Sequence, residues 1–101
     1  MTLTSGITLP DDKIAEICRK YKIREMAVFG SAARGDLRPG SDVDILVDLR
    51  PDARLGWEFF GIAEELESIL GRHVDLGTKD SLKAHAKTSA LRDAVVVYAE
   101  R

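Results

Sequence analysis

The run FGSAARGDLRPGSDVDILVDL, from Phe29 to Leu49, decides how this chain folds. It opens on Gly30-Ser31, passes Pro39-Gly40, and closes in a segment where Val43, Ile45 and Val47 take one parity while Asp42, Asp44 and Asp48 take the other. Apolar residues at every second position mark a strand with a buried face. The acids therefore leave that strand on the opposite face, and Asp42 and Asp44 stand together there, ~6.6–7 Å apart along the backbone. Pro39-Gly40 suits the two central positions of a type II turn, since Pro presets the first and Gly tolerates the positive φ of the second. SAARGD between the Gly-Ser pair and that turn reads as a brief helical turn, and the apolar run Met26 to Phe29, stopped by Gly30, reads as a buried strand.

Working outward, Pro10, Asp11 and Asp12 mark a helix start, and Ile14, Ile17, Cys18 and Tyr21 recur at helical spacing up to an end near Tyr21. Between Leu55 and Leu70 the stripe Phe59, Ile62, Ala63, Leu66, Ile69 and Leu70 predicts a second long helix, with Glu64, Glu65 and Glu67 on the other side and Gly71 as its C-terminal cap. HVDLG predicts a third short strand, and DSLKAHAKTSALRDA a further helix. VVVYAE suits an edge strand or a last helical turn equally. The expected architecture is an α/β domain, a small mixed sheet flanked by helices, spanning residues 1–101 as one unit.

Composition narrows the function. The chain has 101 residues, 45% of them hydrophobic, and its 32% charged residues mix signs to a net charge of −2. No broad basic field exists to hold a nucleic-acid backbone, so direct nucleic-acid binding is not expected. Cys18 is the only cysteine, which excludes an internal disulfide and a cysteine metal site; its neighbours place it in a helix core. No apolar run approaches the ~20 residues of a membrane span, and MTLTSGITLPDD lacks the pattern of a secretory signal. A cytoplasmic location is the expectation.

Two like charges held on one strand face raise each other's pKa unless a cation compensates them. Mg²⁺ fits that need, because it takes oxygen ligands and is commonly held by one or two carboxylates plus substrate phosphates. Asp75, between Val74 and Leu76 in the third strand, supplies a third acid on the face opposite its neighbours. Two ions in such a triad would hold the attacking and leaving oxygens of an in-line phosphoryl displacement. Gly30-Ser31 supplies the other half of the site: glycine lets a phosphate approach the backbone, and the serine hydroxyl donates to its oxygens. Gly30 and Gly35 have the glycine spacing of a P-loop, but Asp36 and Leu37 stand where Lys and Ser or Thr are required. An EF-hand fails likewise at Leu46, Val47 and Ala53.

Gly30-Ser31 followed by Asp42-Val43-Asp44, together with LESILGRHVDLGT around Asp75, resembles the nucleotidyltransferase superfamily typified by DNA polymerase beta, and within it the minimal nucleotidyltransferases. The resemblance implies that Asp42 and Asp44 ligate two Mg²⁺ ions, that Asp75 completes the catalytic metal site, and that Gly30 and Ser31 hold the β- and γ-phosphates of ATP. Arg34 is a further candidate for the triphosphate, against the plain alternative of a surface pair with Asp36 or Asp48. The resemblance also implies a partner, a helical HEPN-domain toxin that the chain silences as an antitoxin by attaching AMP to a tyrosine, in a homo- or hetero-oligomer. Two other readings stand beside it: an antitoxin that acts by binding alone, and an adenylyltransferase for a small molecule such as an aminoglycoside. Gly77 departs from the family pattern, where an aliphatic residue more often follows VDL, and bears on the length of the third strand. His73 is set aside as out of parity with Asp75, and His85 as a residue of a polar helix. Asp48 lies ~13 Å along the strand from Asp44, too far for the same ions. Of Trp57, Phe59 and Phe60, only Trp57 is expected outside the helix core.

Overall fold

The computed structural model describes residues 1–3, 5–35, 38, 40–54, 56–78 and 94–100. Helix α1 (Asp11–Lys20) carries Asp11 and Asp12 in its first turn and Arg19 and Lys20 in its last, the arrangement that complements a helix dipole. Its apolar stripe of Ile14, Ile17 and Cys18 is buried, and the chain then turns through Tyr21, whose N–H donates to Ile17 O at 3.0 Å. Strand β1 (Ile23–Phe29) follows, then the single helical turn α2 (Ser31–Arg34) and strand β2 (Val43–Leu49). Ser41 N–H donates to Arg38 O at 3.0 Å and Gly40 has φ 82°, as the expected turn requires, while Pro39 lies outside the described residues.

Helix α3 (Glu58–Leu70) begins three residues later than the apolar stripe suggests. Glu58 folds its carboxylate back onto the N–H of Gly56 at 2.9 Å, which fixes an irregular lead-in where helix was expected. The helix ends on Gly71, whose φ of 68° is left-handed and whose N–H donates to Glu67 O at 2.8 Å. Strand β3 (Val74–Thr78) runs parallel to β2, as a strand reached through a crossover helix must when it returns to its neighbour's side. Residues 95–99, left open between two structures by their sequence, form strand β4 (Val95–Ala99) at the edge beside β1. The helix expected over Asp80 to Ala94 lies almost wholly outside the described residues. Among the described residues, no helix is long and apolar enough to cross a membrane.

The sheet has the order β3-β2-β1-β4 and is antiparallel except between β2 and β3. One face, carrying Met26, Val28, Val43, Ile45 and Val47, is sealed into a core with Ile14, Ile17 and Cys18 of α1 and Ile62 and Leu66 of α3. Burying a side chain of this size contributes about 1.5–3 kcal/mol. That burial fixes the register, because a slip of one residue would turn Val43, Ile45 and Val47 outward and drive Asp44 into the core. Tyr21 OH and Lys20 Nζ both donate to Glu65, the lysine at 3.1 Å, which ties α1 to α3 on the outside. Trp57 is 87% exposed as expected, and Phe60, expected in the core, is 64% exposed as well. Phe60 instead packs on its neighbours, with ring centroids 6.2 Å from Trp57 and 6.4 Å from Phe59, since only Phe59 of the three faces the core cluster.

Candidate nucleotide and metal site

β1 ends in Phe29, which is paired with Asp44 of β2. Gly30 then takes φ 71° and ψ −149°, a conformation open to glycine and rare for other residues. A Cβ there would also collide with Oδ2 of Asp44, so the glycine is required twice over, by the turn and by the carboxylate beside it. From this bend α2 starts, and Arg34 N–H closes it on Gly30 O at 3.0 Å. The first amides of any helical turn have no carbonyl one turn back, and Ser31 adds its hydroxyl to that donor-rich end.

Asp44 projects from β2 on the face opposite Val43 and Ile45, and the parallel register sets it directly beside Asp75 of β3. Asp44 is half-buried and Asp75 exposed. The Asp44 carboxyl is held above its usual range, first by loss of hydration and then by the charges of Asp75 and Asp42, with Arg34 opposing. Arg34 thus lies within electrostatic reach of the carboxylates. Of the two alternative partners for Arg34, Asp48 accepts from Arg24 Nε at 2.9 Å, and Asp36 lies outside the described residues.

Asp42 stands differently from its expected place. The first ladder contact of this end of β2 is Val43 N–H to His73 O at 2.9 Å, so Asp42 lies one residue ahead of the strand and its side chain is 52% exposed. Its Oδ1 is 3.2 Å from Nδ1 of His73, whose Nε2 is 3.7 Å from Glu67. The structure therefore brings His73 beside Asp42, and parity does not set it apart from Asp75, since residues 73 and 75 are two apart. The signal was in the sequence, in the H-x-D spacing itself.

The donor set suits a hard cation. Two carboxylates, Asp42 and Asp75, act on the half-buried Asp44, whose charge is disfavoured and only partly offset by Arg34, and a cation would compensate it further. Among the described residues, no group of three or more His, Cys, Asp or Glu side chains stands arranged to hold a metal ion. Mg²⁺ does not need one, since it keeps waters and takes remaining oxygens from phosphates. Asp42, Asp44 and Asp75 are the residues that could hold it, and Gly30, Ser31 and Arg34 those that could hold the phosphates.

A nucleotidyltransferase domain family matches residues 11–97 of this chain. The protein adenylyltransferase MntA of Thermococcus cleftensis is 43% identical over 82 residues, which cover 81% of this chain and 82% of the relative. A crystallised toxin-antitoxin with AMP-PNP superimposes with a TM-score of 0.72 at 24% identity, over 92% of this chain and 76% of that one. A tri-AMPylated Shewanella oneidensis HEPN toxin in complex with MNT antitoxin gives a TM-score of 0.63 at 22% identity, over 88% of this chain and 69% of that one. At those identities the structural likeness is one of fold.

Proposed function

This chain belongs to the nucleotidyltransferase domain family, and from that premise we propose that it transfers AMP from ATP to a tyrosine hydroxyl of a cognate HEPN toxin and so acts as its antitoxin. The observation that carries the reading is the pairing of Asp44 with Asp75 across β2 and β3, with Asp42 beside them and Gly30 packed against Asp44. The relative from Thermococcus, a protein adenylyltransferase, supports protein rather than small molecule as acceptor.

In this reading Gly30 and Ser31 offer donors to the β- and γ-phosphates, and Arg34 adds positive charge beside them. Asp42, Asp44 and Asp75 would hold Mg²⁺, two ions in the complete site, which when bound supplies charge to the attacking and leaving oxygens. The acceptor oxygen bonds to the α-phosphorus as the bond from that phosphorus to the bridging oxygen breaks, and pyrophosphate leaves. Asp75, the exposed strand acid, takes the hydroxyl proton. Among the described residues Asp42 and Asp75 are exposed, which fits an acceptor brought by a second protein.

The test is label transfer to the purified partner from α-³²P-ATP, with γ-labelled ATP as control. Label from the α-position alone, lost with chelator and in Asp44→Asn, is expected. No transfer to an unmodified partner that the wild type nonetheless neutralises would leave an antitoxin that works by binding.

A further inference from the structure

We propose that Arg72 is a positioning residue for Asp42: its guanidinium fastens the turn before β2 to the lead-in of β3 and so fixes where this acid stands against Asp44 and Asp75. The inference rests on the reading of the three carboxylates as ligand positions and adds to it a residue to which the sequence assigns no role.

Asp44 and Asp75 need no such help, because the β2–β3 ladder sets them side by side. Asp42 precedes the ladder, and its half-exposed side chain would otherwise be placed only by the chain leading into it. That chain is the turn closed by Ser41 N–H on Arg38 O at 3.0 Å. Arg72 Nη1 donates to Arg38 O and to Ser41 O, each at 3.3 Å, and thus grips the carbonyls at both ends of the turn with the two hydrogens of one nitrogen. The next residue continues the grip, His73 O accepting from Val43 N–H at 2.9 Å and His73 Nδ1 lying 3.2 Å from Asp42. Two consecutive residues of the β3 lead-in therefore hold residues 38, 41, 42 and 43.

Of the two side chains, Arg72 is the firmer hold. Its acceptors are backbone carbonyls, which cannot swing away, whereas His73 reaches Asp42 through one contact of a 69% exposed ring. Removing Arg72 leaves the turn its own hydrogen bond, so the turn persists while its angle to β3 is freed. Around Arg72 lies a recess of about 390 Å³ lined by Gly40, Ser41, Gly71, Arg72 and His73. Truncation there opens no apolar core.

The test is Mn²⁺ binding, followed by electron paramagnetic resonance in the presence of AMP-PNP, for the whole chain and for Arg72→Ala, Arg72→Lys, Asp42→Asn and the double variant Arg72→Ala with Asp42→Asn. Arg72→Ala is expected to weaken Mn²⁺ binding about tenfold, the lower end of the loss seen when partners behind metal ligands are removed. Arg72→Lys is expected to match it, because the lysine side chain ends one bond short of the Nη1 position that reaches both carbonyls. In the Asp42→Asn background the loss of Arg72 is expected to add nothing. Should the alanine variant fail to fold, the lysine variant carries the comparison. Wild-type binding in both Arg72 variants, full rescue by lysine, or an additive double variant would each overturn the proposal while leaving the carboxylate reading in place. Wild-type Mn²⁺ binding in Asp42→Asn would instead overturn that underlying reading.

Discussion

Replacing Asp44 by Asn should make the metal-free protein more stable while abolishing transfer. The charge of Asp44 is disfavoured by lost hydration and by its neighbours Asp75 and Asp42, with Arg34 only partly offsetting them. Paired strands lie ~4.8 Å apart, and two unit charges ~5 Å apart repel by roughly 0.8 kcal/mol in water and roughly 3 kcal/mol at an effective dielectric of 20. Asp75 is exposed and Asp44 half-buried, so solvent screening favours the lower figure, about 1 kcal/mol. For a domain of this size that corresponds to a melting temperature higher by about 4–8 °C. The assay is thermal unfolding in EDTA at neutral pH, repeated with Mg²⁺ and ATP. There the order should reverse, because ligand at 100 times its dissociation constant stabilises the wild type by about 2.7 kcal/mol, and the variant has lost a ligand position. An acid whose folded pKa is raised weakens the fold where it is ionised, so the wild-type deficit is fully present above that raised pKa. It fades as pH falls through the raised value toward the ordinary one, and the two proteins should converge in acid. A variant no more stable than wild type in EDTA at neutral pH would refute the crowding of like charge on which the site reading depends.

Gly30→Ala should cost about 1–3 kcal/mol of stability, the range for a residue forced into a rare backbone region, and should weaken ATP binding, since the new methyl collides with Oδ2 of Asp44; urea unfolding and calorimetric ATP titration read both effects. Arg34→Ala should raise the Asp44 carboxyl further, because Arg34 is the group that lowers it. The acid limb of the pH–rate profile should then shift to higher pH, and an unmoved limb would detach Arg34 from the carboxylates. The Cys18 thiol is fully buried and pushed up to about 12, chiefly by that burial. It should therefore resist a thiol-specific disulfide reagent at pH 8 in the folded protein and react on addition of denaturant, whereas fast labelling of native protein would contradict the packing of α1.

What the sequence made legible divides along one physical line. Helix α1, the cap at Gly71 and the strand from Val43 are local patterns, in which each residue's environment depends on neighbours three or four positions away or fewer. Asp44 and Asp75 were legible as outward acids, but their adjacency comes from a parallel pairing 31 residues apart that only the crossover through α3 completes. The segment Val95–Ala99 could not be assigned from its own residues, because an apolar run becomes a strand only if an edge is free, and here β1 offers one. Phe60 was misplaced because α3 begins after Trp57, so the first turn stands clear of the core that its spacing suggested. Arg72 was invisible for the plainest reason: its partners are backbone carbonyls, and no side-chain pattern records them.

The three acids consequently differ in what holds them, and this bears on how the site tolerates change. Asp44 and Asp75 are placed by strand register, which is fixed by Val43, Ile45 and Val47 in the core; shifting either acid would require unpacking that core. Asp42 is placed by a turn, a histidine and an arginine that lie outside the buried core. Two of the acids are thus set by the core and the third by surface contacts, at the point where the turn and the β3 lead-in meet.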